Sequence, residues 1–472
     1  MVNRRQFLGA VGLPAATAMA PALNPMKMER ALEMLDGLSA STASPQKIAT
    51  DETIWREVQA AYSADRSIVN LNFGGVGSPP IVVQDAMKRY LDYSSTAPVY
   101  SMWRILEPQA EGVRQRLARH FGSDSEEIAI TRNSSEALQI CQMGIDLERG
   151  DEILTTNQDY GRMINTFKQR ERREGVVLKQ FPIPVPAEND DEIVSLFEQH
   201  ITPRTRVILM CHQINLTGQI LPVKGVVQMA RQHGIPVIVD GAHAYGQFAF
   251  KHEDLDCDYY GTSLHKWLNA PHGTGMLYVR RSKIEGLWPL TAAPENQQDN
   301  IRKFEQIGTH PEANFLAIGD ALTFHEGLGD DRKEARLRYL RNYWADRLLQ
   351  NDRVHLNTSL DPRFSCCLSN VYVDGVDVGA LGNYMWDRHR IIVTPIKHPD
   401  CTGLRVTPNV CTTLEELDRF CDALISIRTE IAEIESGQQD ADDNLLKNAP
   451  HSLHLLTQGE WNRPYPIEAA FF

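Results

Sequence analysis

Short apolar, β-branched runs recur through the middle of the chain, each followed by a turn of small or polar residues and then by a longer stretch with helical spacing. Residues 127–131, 152–155, 206–210, 235–239 and 259–264 read as strands, and 276–279 returns as another. The segments between them, such as 223–233, place apolar residues on one helical face. This alternation predicts an α/β fold with a mainly parallel sheet covered by helices. After Arg281 the pattern changes to Pro- and Gln-rich loops, a long helical stretch reaching about Leu349, strands at 365–373 and 391–394, and a helix from Leu414. That second half predicts a smaller α+β C-terminal domain. The expected division is a large domain over 51–305, including an N-terminal arm with a helix at 51–62, then a connecting helix and small domain over 306–436, and a tail over 437–472.

The strand ends carry the chemistry. Asp240 closes the 235–239 run, and ligands of open α/β sheets bind at carboxyl ends of strands. Lys266 closes the 259–264 run inside His265-Lys266-Trp267, ahead of the small-residue loop Ala270-Pro271-His272-Gly273-Thr274-Gly275. A lysine in such a setting is poorly explained as a solvated charge. Burial lowers its pKa and frees the amine to form a Schiff base with a carbonyl. An aspartate on another strand end is what a protonated pyridine nitrogen needs as counter-charge. Together they point to pyridoxal phosphate. At Arg132-Asn133-Ser134-Ser135 a strand feeds a helix, where free amides and a partial positive charge suit a phosphate, although a serine there can also be a simple cap. Tyr160, just after the 152–155 strand, suits either core packing or the face of a ring.

The motifs Val239-Asp240-Gly241-Ala242-His243 and Ser263-Leu264-His265-Lys266-Trp267 resemble those of the class V aminotransferase group of pyridoxal-phosphate enzymes, over about residues 71–424. The continuation Lys-Trp-Leu-x-Ala-Pro-x-Gly-x-Gly is more similar to isopenicillin N epimerases than to cysteine desulfurases. The resemblance implies a fold-type I enzyme with a seven-stranded, mainly parallel sheet. It implies that Lys266 holds the cofactor and moves protons, that Asp240 pairs with the ring nitrogen, and that Tyr160 stacks on the ring. His243 and Asn215 would meet the ring hydroxyl, and Ser134, Ser135, Ser263 and His265 the phosphate, with Asn133 standing where many relatives have Gly. Thr309, after Gly308, would complete the phosphate site of a second copy, which implies a homodimer. Arg405 would take the substrate carboxylate, a task suited to a planar two-pronged donor. Asn72, in the glycine-rich stretch 71–77, would border the same site. No metal is implied.

The activity this suggests is epimerisation or racemisation at the α-carbon of an amino acid or a peptide-borne amino acid. Transamination is the runner-up, and exported class V enzymes that tailor siderophore peptides are a third possibility. A non-catalytic cofactor-binding scaffold is the reading from another class. Desulfuration is disfavoured, because that branch needs a mobile-loop cysteine well before the carboxylate-binding arginine, whereas Cys401 lies immediately upstream of Arg405.

Composition adds bounds. With 472 residues and 42% hydrophobic content the chain can bury a large core. A formal net charge of −13 argues against a nucleic-acid partner, and the arginines at 170–173 read as a solvated helix face. The 8 cysteines lack ligand spacing and read as buried apolar residues, with Cys366 and Cys367 on opposite faces of a strand. Asn3-Arg4-Arg5-Gln6-Phe7-Leu8, then an Ala/Gly-rich run ending Ala18-Met19-Ala20, reads as a twin-arginine signal peptide over 1–20. That predicts a periplasmic mature protein with no membrane partner after cleavage, because no later run reaches the roughly 20 apolar residues a span requires. Residues 21–50 read as a flexible leader. From Asp418 onward, and above all at Asp442-Asp443-Asn444-Leu445-Leu446-Lys447-Asn448-Ala449-Pro450-His451 and Glu460-Trp461-Asn462-Arg463-Pro464-Tyr465, the tail resembles the C-terminus of the glycine decarboxylase P-protein. The rest of that longer protein is not evident in the sequence.

Overall fold

The computed structural model describes residues 33–38 and 41–435, with side chains as far as 427. The expected signal peptide and the 437–472 tail lie outside the described residues. After β1 (Val69–Asn70) the chain builds one sheet from β2 (Ile128–Thr131), β3 (Glu152–Thr156), β4 (Val177–Phe181), β5 (Thr205–Cys211), β6 (Val237–Asp240), β7 (Tyr259–Ser263) and β8 (Gly275–Val279). These 7 strands lie in the order β2-β8-β7-β6-β5-β3-β4. Only β8 runs against its neighbours β2 and β7; the pairings from β7 through β4 are parallel. Every residue of β2, β3, β6, β7 and β8 is buried, the pattern of a sheet covered on both faces. The edge strand β4 escaped the sequence reading because its face is largely wet and Lys179 and Gln180 interrupt the apolar run.

Helices pack both faces: α1 (Ala110–Phe121), α2 (Ser134–Gly144), α3 (Gly161–Glu174) and α4 (Val223–Gln232). One expectation about α3 needs correction. Arg172 and Arg173 are exposed, but Arg170 is buried and its Nη1 donates to the carbonyls of Gln142 (2.7 Å) and Ile145 (2.8 Å) at the end of α2. Orphan carbonyls at a helix end need donors, and a buried guanidinium supplies them.

Two long helices, α5 (Ile318–Leu328) and α6 (Asp330–Leu348), connect to the small domain. Its sheet is antiparallel, in the order β12-β13-β10-β9, from β9 (Val354–Leu356), β10 (Ser369–Val373), β12 (Thr394–Lys397) and β13 (Thr402–Val406). The predicted 391–394 strand is in fact split, because β11 (Ile391–Ile392) leaves this sheet to pair in parallel with β1. Val69 and Leu71 therefore share a core with Trp344, Val371 and Leu404, and the N-terminal arm belongs in part to the small domain. The predicted 365–373 strand begins only at Ser369, so Cys366 and Cys367 precede it, both fully buried. All 8 cysteines are buried and free.

The expected leader is also corrected where it is described. Ser44 Oγ accepts the Lys47 amide and caps a short helix, Pro45–Ala49, whose Ile48 is buried. Trp55 Nε1 donates to the Ile48 carbonyl at 2.8 Å, and Leu35 and Leu38 join the main core. A polar-looking stretch concealed a few anchors. Among the described residues no helix is long and apolar enough to cross a membrane.

Candidate active site

The carboxyl ends of β3, β5, β6 and β7 converge, as the strand order requires. Asp240 is the last residue of β6 and is 4% exposed, with Oδ1 accepting the Ala242 amide at 2.9 Å. Burial raises its pKa to about 6, opposed by the Ala242 hydrogen bond and by Lys266. Lys266, in the turn after β7, places Nζ 3.1 Å from His243 Nε2. Burial lowers the Lys266 amine to about 8, with Asp240 pulling the other way. Burial, then the charges of Lys266 and Arg405, hold His243 far below its ordinary value. A neutral His243 that accepts from Lys266 carries its proton on Nδ1, which is buried without a protein partner. Tyr160 closes the turn after β3 and lies close enough to Arg405 to act on its charge.

At the mouth of α2 the amides are sorted one by one. Asn133 Oδ1 accepts the Glu136 amide at 2.9 Å, so an asparagine at this position serves as a true N-cap. Ser263 Oγ accepts the Ser134 amide at 3.0 Å and lies 2.9 Å from Ser134 Oγ. Ser135, half-buried, keeps its amide and hydroxyl without a protein partner among the described residues. His265 Nδ1 donates to the Thr274 carbonyl at 3.0 Å, and burial lowers its pKa to about 4. Gly275 makes the turn possible, since a Cβ there would stand 2.6 Å from the Asn133 carbonyl carbon. Free amides, hydroxyls and a helix N-terminus together could hold a phosphate.

The opposite wall comes from the small domain. Arg405, on β13, is 8% exposed; Nη2 donates to Asn72 Oδ1 (2.9 Å) and Thr394 Oγ1 (3.3 Å), and Nη1 to the Asn215 carbonyl (3.2 Å). Burial lowers its pKa to about 10, which leaves it charged at neutral pH. No carboxylate pairs with it among the described residues, and Arg405 Nε and Asn215 Oδ1 are buried without partners. The glycine-rich loop lies flat on the lysine turn: the Gly77 amide donates to the His265 carbonyl at 2.8 Å, and a Cβ on Gly77 would meet the Lys266 carbonyl at 2.1 Å. Thr394 and Thr407 were missed by the sequence reading. Thr407 Oγ1, just past β13, accepts the Gly74 amide at 2.9 Å, but a threonine at a strand end has no sequence mark to separate it from packing. Asn157 and Asp400 (Nδ2 to Oδ2, 2.6 Å) tie the two domains beside the cleft. Thr309 is exposed after Gly308 (φ 76°) and makes no hydrogen bond to the other candidates.

Residues 68–416 match the family described as Aminotransferase class-V. The chain belongs to that family. The isopenicillin N epimerase of Amycolatopsis lactamdurans is 31% identical over 391 residues, covering 79% of this chain and 98% of the relative. A probable cysteine desulfurase of Halalkalibacterium halodurans is 28% identical over 299 residues, 60% of this chain and 72% of the relative. Among solved structures, the apo cysteine desulfurase from Thermococcus onnurineus NA1 shares the fold, with a TM-score of 0.69 at 20% identity over 79% of this class V chain and 97% of its own. The fold is thus fold-type I and the cofactor is pyridoxal phosphate, which the unpartnered atoms of Ser135, His243, Asn215 and Arg405 fit. Residues 392–451 also match the Glycine dehydrogenase, C-terminal domain. That likeness reaches beyond the tail: the glycine dehydrogenase (decarboxylating) of Nostoc punctiforme is 31% identical over 271 residues, 53% of this chain and 27% of the relative.

Proposed function

We propose that this class V enzyme removes and returns the α-hydrogen of an amino acid or a peptide-borne amino acid, with net epimerisation or racemisation. The observation that carries the reading is the facing pair: a buried lysine amine held near pKa 8 against a neutral histidine, across from an arginine with no carboxylate of its own. The likeness to an isopenicillin N epimerase over 98% of that protein's length supports it. Pyridoxal phosphate, when bound, withdraws electrons from the substrate α-carbon. In this reading Ser134, Ser135, Ser263 and His265 hold the phosphate, Asp240 faces the ring nitrogen, His243 and Asn215 the ring hydroxyl, and Tyr160 covers the ring. Arg405 receives the substrate carboxylate, with Asn72 fixing the guanidinium plane. Lys266 takes the α-proton as a free amine, with His243 accepting a hydrogen bond from it, and epimerisation then requires a proton delivered to the opposite face of the α-carbon, by solvent or a second acid.

Incubation with enantiopure amino acids and peptides, followed by chiral chromatography, tests the proposal. Both epimers with the amino group retained are expected. Stoichiometric keto acid, with the cofactor left as its amine, would replace epimerisation by transamination, and an intact cofactor with no turnover would favour the scaffold reading. Desulfuration is disfavoured because every thiol is buried, and burial pushes the Cys401 thiol up to about 11.

Two further proposals concern the setting. The exposed Thr309, together with Val99, Tyr100 and Trp103, which are 67%, 61% and 49% exposed, supports a homodimer in which Thr309 completes the partner's phosphate site. Light scattering should give twice the chain mass, and a monomer would reject it. The twin arginines at Arg4 and Arg5 support a periplasmic mature protein; replacing both by Lys should retain the precursor inside, and unimpaired export would reject that.

A further inference from the structure

Behind the lysine turn lies a buried polar chain that the sequence reading did not anticipate. It starts at Tyr245, in the turn that carries Asp240 and His243, and ends at the carbonyl of Trp267, the residue after Lys266. Tyr245 Oη lies 2.8 Å from His120 Nδ1 on α1, and His120 Nε2 lies 3.2 Å from Asp330 Oδ1 at the start of α6. His325 Nε2, on α5, meets the same Asp330 Oδ1 at 2.6 Å, and its Nδ1 lies 3.3 Å from Lys333 Nζ. Lys333 Nζ then donates to the Trp267 carbonyl. Tyr245, His325 and Lys333 are each 2% exposed and Trp267 is 0%.

With Lys333 as an ammonium, every link can be satisfied. A carbonyl only accepts and an ammonium only donates, so His325 accepts from Lys333 at Nδ1 and donates from Nε2 to Asp330. His120 likewise donates from Nε2 to Asp330 and accepts from the Tyr245 hydroxyl. His325 is then neutral, and the buried Lys333 and half-buried Asp330 charges compensate each other through its ring. His120, His325 and Asp330 present ligand atoms within 4.8 Å of one another, an arrangement a metal could use. Each of those atoms is already matched in this hydrogen-bond chain, and an ammonium beside the group opposes a second cation.

We propose that Lys333 is a positioning residue for Lys266: with Asp330 and His325 it fixes the turn that carries the cofactor-binding lysine, while Tyr245 and His120 fix the turn that carries Asp240 and His243. The chain thereby sets the distance between the amine and the carboxylate that face the same ring. It deepens the reading of Lys266 given above and rests on it. The groups facing Lys333 are Asp330, His325 and the thiols of Cys366, Cys367 and Cys411. Burial raises all three thiols, leaving Asp330 as the charge that answers Lys333.

The test is the pH titration of the visible band of bound pyridoxal phosphate in the holoenzyme, with the fold checked by circular dichroism. Lys333→Met removes a nearby cation and should raise the midpoint, whereas Asp330→Asn removes the anion and should lower it, each by at least about half a unit. Lys333→Met should also slow cofactor reloading about 10- to 100-fold. Lys303→Met is the control: Lys303 is equally buried, donating to Ile284 O at 2.6 Å and Gln298 O at 2.7 Å, outside this chain of contacts, and should move neither quantity. Folded Lys333→Met and Asp330→Asn proteins with unchanged midpoints, or shifts of the same sign, would overturn the proposal. If Lys333→Met does not fold, Asp330→Asn and Tyr245→Phe decide it, since an unchanged midpoint and reloading rate in both would also overturn it. Peptide mapping after borohydride reduction separates the two claims. Label on another lysine would remove the assignment of Lys266 itself, whereas label on Lys266 with unmoved midpoints would remove only the role of Lys333.

Discussion

The two sides of the cleft differ in how completely each satisfies itself. On the sheet side the groups lean on one another: Lys266 on His243, Ser263 on Ser134, Asp240 on the Ala242 amide. The cost of gathering them shows in an amine lowered to about 8 and a carboxyl raised to about 6. On the small-domain side Arg405 is pinned by three oxygens, yet it retains a full charge and an unpartnered Nε. On the proposed reading the first surface is arranged around the cofactor and the second around the substrate. The contrast teaches where damage should fall: sheet-side substitutions act on the cofactor, and wall substitutions act on substrate capture.

The largest effect should come from Lys266→Ala, which on the proposed reading removes both the covalent hold and the proton carrier. Turnover should fall about 10³- to 10⁴-fold, and borohydride should fix no cofactor to the chain. Retention of covalent label would break the sheet side of the comparison. Asp240→Asn comes next and divides function from stability. The folded carboxyl sits near 6, against an ordinary 3.8, so the folded apoprotein holds this proton more tightly than the unfolded chain does. The stability associated with that proton is complete below about pH 4 and is lost as pH rises through about 6. Above pH 6 the apoprotein bears the full cost of a buried charge, and Asp240→Asn should stabilise it by about 1–3 kcal/mol at pH 7 while turnover falls. Thermal melting of apoprotein at pH 4 and 7 checks this, with the gain vanishing at the lower pH.

Arg405→Ala should weaken substrate capture by about 2–5 kcal/mol, seen as a raised KM, with the visible band of bound cofactor unchanged. Loss of cofactor instead would erase the distinction between the two sides. The smallest effect is expected at Ser135→Ala, which removes one hydroxyl from the α2 mouth but leaves its amide. Cofactor affinity should fall by about 1 kcal/mol, measured by equilibrium dialysis.

The same division governs what could be read from sequence. Sheet-side residues sit where buried apolar strands stop, and a strand such as 237–240 that ends in Asp and runs into Gly241-Ala242-His243 is conspicuous in a linear text. Strand ends in a parallel sheet come together by topology, so the convergence of Tyr160, Asn215, Asp240 and Lys266 needed no long-range information. The wall depended on such information. Arg405 meets Asn72 only because β1 leaves the large domain to pair with β11, and nothing local announces that pairing. The network from Tyr245 to Lys333 was invisible for the same reason: its members come from three helices and two turns, and each alone reads as a surface or capping residue. Arg170 and the Pro45–Ala49 helix show the complementary failure, where polar composition concealed burial.

The central claim is that the sheet-side amine exchanges the substrate α-proton and the wall only holds the substrate. Mass spectrometry of α-hydrogen exchange in heavy water, run on wild type, Lys266→Ala and Arg405→Ala reconstituted with pyridoxal phosphate, addresses it directly. The account predicts exchange with the amino group retained in wild type, the same exchange at raised substrate concentration in Arg405→Ala, and none in Lys266→Ala. Exchange that persists without Lys266, or that stops in Arg405→Ala even at saturating substrate, would contradict it.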